Sequence, residues 1–328
     1  GLLLYIMAMW TAGMTQGLMW RAIDDGGRLV YPQFIETVVR IVPMYWVRAV
    51  GGVLVLFGFI LMVYNFWKTI KKAPVQKTEF FKAKSFRKMK DNYDNDEGLH
   101  HKLEGMPMTF TILATLAILV GSVIEIVPTL MSHKFVKESK IVKPYSPLEL
   151  AGRDIYIREG CYNCHSQMVR PSVSEKLRYG EPSDPAEGMY DRPFQWGSKR
   201  TGPDLARVGG KYNHMWHYKH MLDPRDVVTK SIMPEYGWLY KNKIDFKSLV
   251  KKMKVMASLN VPYSEEQIEQ AIISAKDEAE EITRKLKESG EKMKMTTKEI
   301  IALIAYLQGL GTDIEKIKEF RAKQENKE

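Results

Sequence analysis

The only two cysteines of this 328-residue chain, Cys161 and Cys164, lie in the segment REGCYNCHSQMVRP, with His165 directly after the second. Three chemistries use this spacing: a redox-active disulfide, half of a zinc site, and covalent attachment of haem when a histidine follows at once. A structural zinc site needs four ligands, and the sequence contains no further cysteine to complete one. A thioredoxin-like dithiol expects a preceding strand, whereas the residues before Cys161 predict a helix. The motif therefore favours one covalent c-type haem with His165 as proximal iron ligand, and a chance dithiol stays open as the alternative.

Two capping signals predict helices on either side of the domain that carries this motif. In SPLELAGRDIYIREGC, Ser146 is a helix N-cap, Pro147 occupies the first helical position, and Glu149 completes a capping box. Near the C-terminus, Thr296 and Glu299 predict a second capping box before the apolar segment IIALIAYLQGLG.

The second of these helices is expected to pack on the first, and to end at Gly309 or Gly311. Its predicted apolar face consists of Ile300, Leu303, Ile304 and Leu307. The small Gly152 permits a close approach to this face, with Tyr156 and Tyr306 at the crossing.

A haem iron held by His165 needs a second axial ligand from the opposite face. Met233 meets this requirement, because Pro234 prevents helix continuation there and Pro224 already ends a helix upstream. Met168 follows His165 too closely and lies on the proximal side. Three methionines in helical, core-like settings stay as alternatives: Met221, Met253 and Met256.

Other polar residues have less specific readings. The Pro203 carbonyl is a candidate acceptor for the second ring nitrogen of His165, which would fix the imidazole. Three histidines share one predicted helix: His214, His217 and His220. Their spacing carries them around the helix without a completing ligand, so we favour a helix near the haem over a metal site. Glu125, near the outer end of an apolar run, faces a partner, an ion or a proton path, or snorkels into the interface.

Three apolar runs have the length of membrane-spanning helices: 1–20, 47–67 and 108–130. Buried core helices are the alternative, but runs this long and this poor in charge favour a membrane. Ten lysines and arginines follow the second run, within 68–107, whereas Arg21, Arg28 and Arg40 are the only ones between the first two runs. The positive-inside rule therefore predicts that residues 68–107 are cytoplasmic and that everything after about 131 lies outside.

This topology accounts for most of the formal charge of +10, so no nucleic-acid partner is needed to explain it. The mixed-charge segment 77–105 is predicted to be a solvated linker. The segment SEEQIEQAIISAKDEAEEITRKLKESG, residues 264–290, is predicted to be an amphipathic helix in a solvated surface hairpin without chemistry.

Several segments from about residue 80 to 315 resemble the membrane-anchored mono-haem cytochrome c subunit, subunit II, of cbb3-type haem-copper cytochrome c oxidases. The segments are GRDIYIREGCYNCHSQMVRP, WGSKRTGPDLARVGGKY, WHYKHMLDPRDVV, SIMPEYGWL and ALIAYLQGLGT. Near the start, MWTAGMTQGLMWRA, VRAVGG and MVYNFWKTI resemble the last two transmembrane helices of subunit I of the same enzyme. The expectation is thus the C-terminal piece of a fusion between subunits I and II.

The resemblance implies an all-α fold in which three transmembrane helices precede a class I-like cytochrome c domain. The implied divisions are 1–70 for the subunit I helices, 71–107 for a basic cytoplasmic linker, 108–131 for the membrane anchor, 145–315 for the cytochrome domain and 316–328 for a charged tail. The chain would be a multi-pass protein of the bacterial inner membrane, with the cytochrome domain on the periplasmic face.

The resemblance also implies a role in respiration. Haem c, bound through Cys161, Cys164, His165 and Met233, would accept electrons from a tri-haem or soluble cytochrome c. It would pass them to haem b in the remainder of subunit I, where haem and copper reduce oxygen. Those b-type haem and copper ligands belong to earlier helices, so this chain alone would not reduce oxygen. The stretch from about 270 to 295 is longer than is usual for the subunit, which leaves partner contacts there open.

Two other classes of function share some of these features. A membrane-anchored cytochrome that serves another periplasmic reductase, such as nitric oxide reductase, or a free-standing electron shuttle would carry the same haem motif. Neither explains the subunit I-like start. A purely structural docking module would assemble and respire without haem c.

Overall fold

The computed structural model describes residues 1–72, 103–136, 141–191, 193–290 and 295–326. These residues form helices joined by turns and contain no strand, only the isolated bridges Ile23–Leu29 and Lys243–Lys298. The helical expectation is confirmed for this part of the chain. The predicted linker 77–105 lies almost entirely outside the described residues.

The α-helices are α1 Leu2–Arg21, α2 Phe34–Lys72, α3 Pro107–Phe135, α4 Pro147–Arg158, α5 Val173–Tyr179, α6 His214–Leu222, α7 Trp238–Lys241, α8 Leu249–Ser258, α9 Glu265–Glu269, α10 Ala271–Glu288, α11 Glu299–Gly309 and α12 Ile314–Glu325.

Helices α1, α2 and α3 are long and apolar enough to cross a membrane, as the sequence predicts. Most of the large apolar side chains of α2 and α3 are exposed, which suits contact with lipid. Helix α2 begins at Phe34 rather than at 47, so it is longer than its apolar run. Its first turns bury Val38 and Ile41, but polar residues interrupt the apolar ones in this part of the sequence. Because this part of the helix is not a continuous apolar run, the apolar pattern alone does not predict it.

The chain divides into two compact units. One contains residues 53–132, that is, the later part of α2 and most of α3. The other joins residues 1–52 to residues 133–328, and so combines α1 and the start of α2 with all the helices from α4 onward.

Helix α4 forms as predicted. Ser146 is its N-cap, the Ser146 hydroxyl accepts from the Glu149 amide at 3.1 Å, and the Glu149 carboxylate accepts from the Ser146 amide at 2.7 Å. Pro147 occupies the first position, where its missing N–H leaves nothing unsatisfied.

Helices α4 and α11 cross closely at Gly152. A Cβ atom at this position would lie 2.6 Å from the Ala302 carbonyl carbon and 2.8 Å from the Tyr306 Cβ, well inside van der Waals contact. The Tyr156 and Tyr306 rings pack at the same crossing with centroids 5.4 Å apart. The predicted approach is therefore confirmed. Helix α11 ends at Gly309, one of the two predicted positions.

The predicted capping box at Thr296 is wrong. Helix α11 begins at Glu299 with Lys298 as N-cap, and no side chain caps it. The Glu299 carboxylate instead accepts from Arg158 at 2.7 and 2.8 Å and from Asn242 at 3.1 Å. A charged pair with the end of α4 outweighs one local hydrogen bond, so Glu299 does not turn back to Thr296.

The solvated hairpin predicted for 264–290 is wrong as well. The segment forms two helices, α9 and α10, and α10 buries one complete face in the domain core. That face consists of Ala271, Ala275, Ala279, Ile282, Thr283 and Leu286. The small alanines on this face allow α10 to pack closely on α4 and α11. The many charged residues of the segment do not indicate that this face is buried.

Candidate haem-binding site

The cysteine–histidine motif begins immediately after α4. A short 3-10 turn, Cys161–Asn163, follows the helix, and the His165 amide donates to the Cys161 carbonyl at 2.9 Å. The Cys161 side chain is partly buried and Cys164 is exposed, and the two thiols are not joined in a disulfide. One compact turn thus carries all three candidate haem-binding side chains.

A second loop holds the His165 ring. Its Nδ1 atom lies 2.7 Å from the Pro203 carbonyl oxygen, so Nδ1–H donates there and Nε2 keeps a free lone pair. A Cβ atom at Gly202 would lie 2.7 Å from both ring nitrogens, so only glycine permits this approach. Burial lowers the pKa of His165, although the hydrogen bond to Pro203 acts in the opposite direction, and the ring is neutral, as an iron ligand must be.

A buried network joins the motif to this second loop. The Arg200 guanidinium donates to the Ser166 hydroxyl at 2.7 Å and to Asp204 at 3.1 Å, and it also pairs with Glu175. Ser166 in turn donates to Asp204 at 2.6 Å, and the Gly202 amide donates to the Cys164 carbonyl at 2.8 Å. The sequence prediction missed Arg200 and Asp204. Their presence in the same RTGPDL segment as Pro203 was the available signal.

Beside the motif lies a cavity of about 500 Å³, within the range of small-molecule and cofactor sites. Cys161, Cys164, His165 and Met233 all line it. Of the alternative distal ligands, only Met221 also lines this cavity. Met253 and Met256 are buried in the core, and Met168 is not among the lining residues. Of the five methionines considered as distal ligands, Met233 and Met221 are therefore the two that line the cavity.

The walls suit a large, mostly apolar group that carries a few polar substituents. Apolar side chains predominate, among them Leu205, Val208, Ile232, Leu303 and Leu307. Four cavity-lining residues have a buried polar atom without a hydrogen-bond partner: Tyr156 Oη, Arg178 Nη2, His217 Nε2 and His220 Nδ1. Because buried polar groups are nearly always paired, these atoms indicate a ligand with acceptor groups. A haem, with its apolar macrocycle and two carboxylates, fits these residues.

The N-terminal part of the chain contributes one wall. Pro32, Phe34, Ile35 and Val38, from the turn before α2 and its first residues, line the same cavity as His165. Elsewhere in this unit, the Gln16 amide of α1 donates to the Arg200 carbonyl at 2.9 Å. These long-range contacts could not be predicted from the sequence, because no local pattern links the residues that form them.

Comparison with known families identifies the larger part of the chain. The family model described as "Cytochrome C oxidase, mono-heme subunit/FixO" matches residues 100–314. The chain belongs to this family. The mono-haem subunits form part of cytochrome c oxidase, an oxidoreductase complex, and one haem per chain is implied by the family description.

A shorter stretch is similar to a different subunit. Over 74 residues the chain is 51% identical to the cytochrome c oxidase subunit 1 of Rhodobacter capsulatus, which covers 23% of this chain and 14% of that protein. Over 71 residues it is 52% identical to a bacteroid subunit 1 homologue of Bradyrhizobium diazoefficiens, covering 22% and 13%. The cbb3-type subunit CcoN1 of Stutzerimonas stutzeri is 45% identical over 73 residues, covering 22% and 15%. The chain thus spans only about a seventh of these curated relatives.

Among the described residues of this mono-haem subunit, no three or more histidine, cysteine, aspartate or glutamate side chains are grouped to hold a metal ion, and this includes the three histidines of α6. His214 hydrogen-bonds to Gln308 at 3.2 Å. His217 and His220 line the cavity, and burial lowers the pKa of each to about 4, so both rings are neutral. The His220 ring stacks on Trp216 with centroids 4.6 Å apart.

Proposed function

We propose that this chain carries one covalent haem c and acts as the electron-transfer part of a cbb3-type terminal oxidase. Cys161 and Cys164 form the two thioether bonds, and His165 and Met233 are the axial ligands. The observation that carries the proposal is the His165 geometry: Nδ1 is fixed on the Pro203 carbonyl, and Nε2 keeps a free lone pair in a residue that lines the cavity shared with both cysteines.

When bound, the haem supplies a one-electron couple, and a histidine–methionine pair raises its potential and closes the iron to small ligands. The protein supplies orientation and a low dielectric. Arg200 and Asp204 hold the motif loop against the RTGPDL loop, and the apolar wall excludes water. Electrons would enter from a tri-haem subunit or a soluble cytochrome c and leave to haem b of subunit I.

The similarity to subunit 1 proteins supports a fusion of subunits I and II over a separate shuttle or a nitric oxide reductase partner. No histidine occurs within α1, within α2 or between Pro107 and Pro128 of α3. The b-type haems and copper would therefore require other parts of subunit I.

A bacterial inner-membrane protein with its cytochrome domain on the periplasmic side is the matching topology. Arg178 of the cytochrome domain donates to the carbonyl oxygens of Tyr31 and Pro32, in the turn between α1 and α2. This contact supports a common side of the membrane for that turn and the domain, and the positive-inside rule makes that side the periplasmic one.

Haem staining of the denatured chain tests the proposal. The wild-type chain should keep one covalent haem and show no free thiol, because both cysteines are bonded to it. Cys161→Ala or Cys164→Ala should weaken or abolish the stain, whereas Met233→Ala should leave it. Two haems per chain, or a titratable thiol in the mature protein, would contradict the assignment.

Reporter insertions test the topology. A reporter that is active only in the periplasm should be silent near residue 95 and active after residue 320. The reverse pattern would reject the orientation.

A further inference from the structure

One charged side chain stands between the N-terminal segment and the haem-binding cavity. Arg178 lies near the end of α5 in the cytochrome domain. Its Nη1 atom donates to the Tyr31 carbonyl at 2.8 Å and to the Pro32 carbonyl at 2.9 Å. These two carbonyls immediately precede α2, whose first residues line the cavity.

The other terminal nitrogen of the same guanidinium is unused. Nη2 is buried and has no hydrogen-bond partner among the described residues. Burial lowers the pKa of Arg178 and has a larger effect than the carboxylates of Glu175 and Glu36, which are near enough to favour its charge. Arg178 itself lines the cavity that Cys161, Cys164 and His165 also line. A buried donor without a partner is costly unless an acceptor joins it, and on a guanidinium the matching acceptor is an acidic ligand group, so the geometry calls for such a group at this wall.

We propose that Arg178 is a two-sided clamp, which binds the Tyr31 and Pro32 carbonyls through Nη1 and a carboxylate of the bound haem through Nη2. The proposal rests on the proposed function, because it needs the haem in this cavity. Under this proposal, haem binding and the packing of segment 31–38 against the domain stabilise each other. A guanidinium suits this task because its planar fork presents several donors in fixed directions, which an ammonium group does not.

Coupling follows from the shared side chain. In the absence of haem, the burial of Arg178 is offset only by the two carbonyl hydrogen bonds and by the nearby carboxylates of Glu175 and Glu36. Once a carboxylate pairs with Nη2, the guanidinium is held in the orientation that also serves Tyr31 and Pro32. Haem attachment would thereby complete the wall formed by the subunit I-like segment, and a chain without haem would have that wall loosely seated.

The first test measures the midpoint potential of haem c in the purified full oxidase complex. The variants are Arg178→Gln, Arg178→Lys and the matched control Lys176→Gln, which removes an exposed cation from the same helix. A cation beside a haem carboxylate favours the reduced state. Arg178→Gln should therefore shift the reduced-to-oxidised ratio at fixed potential about tenfold toward oxidised, or ~59 mV for a one-electron couple. Lys176→Gln should change the ratio less than about twofold, because water and salt screen it.

The second test measures hydrogen exchange of the amides in segment 31–38. In haem-loaded complex, Arg178→Lys should keep the potential near wild type but speed exchange, since one ammonium cannot satisfy both sides. Haem is removed by the double substitution Cys161→Ala and Cys164→Ala. In a chain with Arg178, this loss should speed amide exchange in segment 31–38, whereas in a chain with Arg178→Gln it should change the exchange rate little. Equal effects in both backgrounds would overturn the coupling.

The outcomes separate this inference from the proposed function. If the wild-type chain carries no covalent haem, the proposed function itself fails. If haem is retained and Arg178→Gln behaves like Lys176→Gln in both potential and exchange, only the clamp is rejected. Should the haem-free chain not accumulate, the potential comparison between Arg178→Gln and Lys176→Gln decides alone.

Discussion

Gly152→Ala should destabilise the cytochrome domain although alanine is the better helix former. The added methyl group would lie 2.6 Å from the Ala302 carbonyl carbon, and an ordinary contact begins at 3.4 Å. Helices α4 and α11 would therefore have to separate by about 0.8 Å or more, in a crossing that also holds Tyr156 and Tyr306. The obstacle is backbone rather than a flexible side-chain end, so rotamer changes cannot relieve it.

Two opposing terms set the size of the effect. Overpacking of a well-packed core costs about 1–3 kcal/mol, and a clash with backbone belongs at the upper end. The change from glycine to alanine within a helix returns about 1 kcal/mol. The net destabilisation is then about 2 kcal/mol, which corresponds to a fall of about 4–8 °C in melting temperature for a domain of this size.

A short protease pulse at increasing temperature measures this fall in the intact complex. The proposed covalent haem would mark the domain, so the intact haem-stained band would report the folded fraction at each temperature. Gly237→Ala is the matched control, since Gly237 has helical φ and ψ and a Cβ there meets nothing within 4 Å. It should be neutral or slightly stabilising. If Gly152→Ala has the same melting temperature as Gly237→Ala, the close crossing of α4 and α11 at Gly152 does not stabilise this domain.

Two further variants test the distal ligand and a buried acid. Met233→His should keep covalent haem but lower the midpoint potential by at least ~60 mV, about tenfold, with loss of the thioether-to-iron absorption; retention of that absorption would favour Met221. Burial, aided by nearby Glu278, raises the pKa of Glu149 to about 7 from 4.5, although hydrogen bonds from Ser146 oppose the rise. The folded domain thus binds a proton that the unfolded chain releases, and its stability should fall as pH rises from about 4.5 to 7. Glu149→Gln should flatten this slope in the same protease assay, and an unchanged slope would place the effect on another group.

Local rules predicted the elements whose causes are local. The N-cap, the proline and the capping box of α4 all involve residues within four positions of each other, and each forms as predicted. The Gly152 crossing was also predictable, because a glycine on one helix and an apolar face on another define a close contact without knowledge of the connection. Apolar length sufficed for the three candidate membrane helices.

The failures arose where a distant partner decides the outcome. Glu299 satisfies the sequence rule for a capping box, yet Arg158, 141 residues earlier, takes its carboxylate. The alanines of α10 look like surface filler until α4 and α11 cover them. Arg178 and Tyr31 are 147 residues apart, and nothing local to either residue indicates the other.

His165, the proposed proximal ligand, is held by contacts that do not depend on the haem. His165 is fixed through Pro203 at its ring and through the Cys161 carbonyl at its amide, while Gly202 removes the side chain that would displace it. Arg200 and Asp204 link the cysteine–histidine motif to the RTGPDL loop through buried hydrogen bonds. Because these contacts exist within the protein alone, little ordering of the histidine remains to be done when the haem binds, and such preorganisation favours binding. By contrast, the wall formed by segment 31–38 is held by Arg178, whose Nη2 donor has no hydrogen-bond partner. If haem binds as proposed, the side of the cavity that carries His165 is already ordered to receive it, whereas segment 31–38 gains a contact only through the Arg178 clamp.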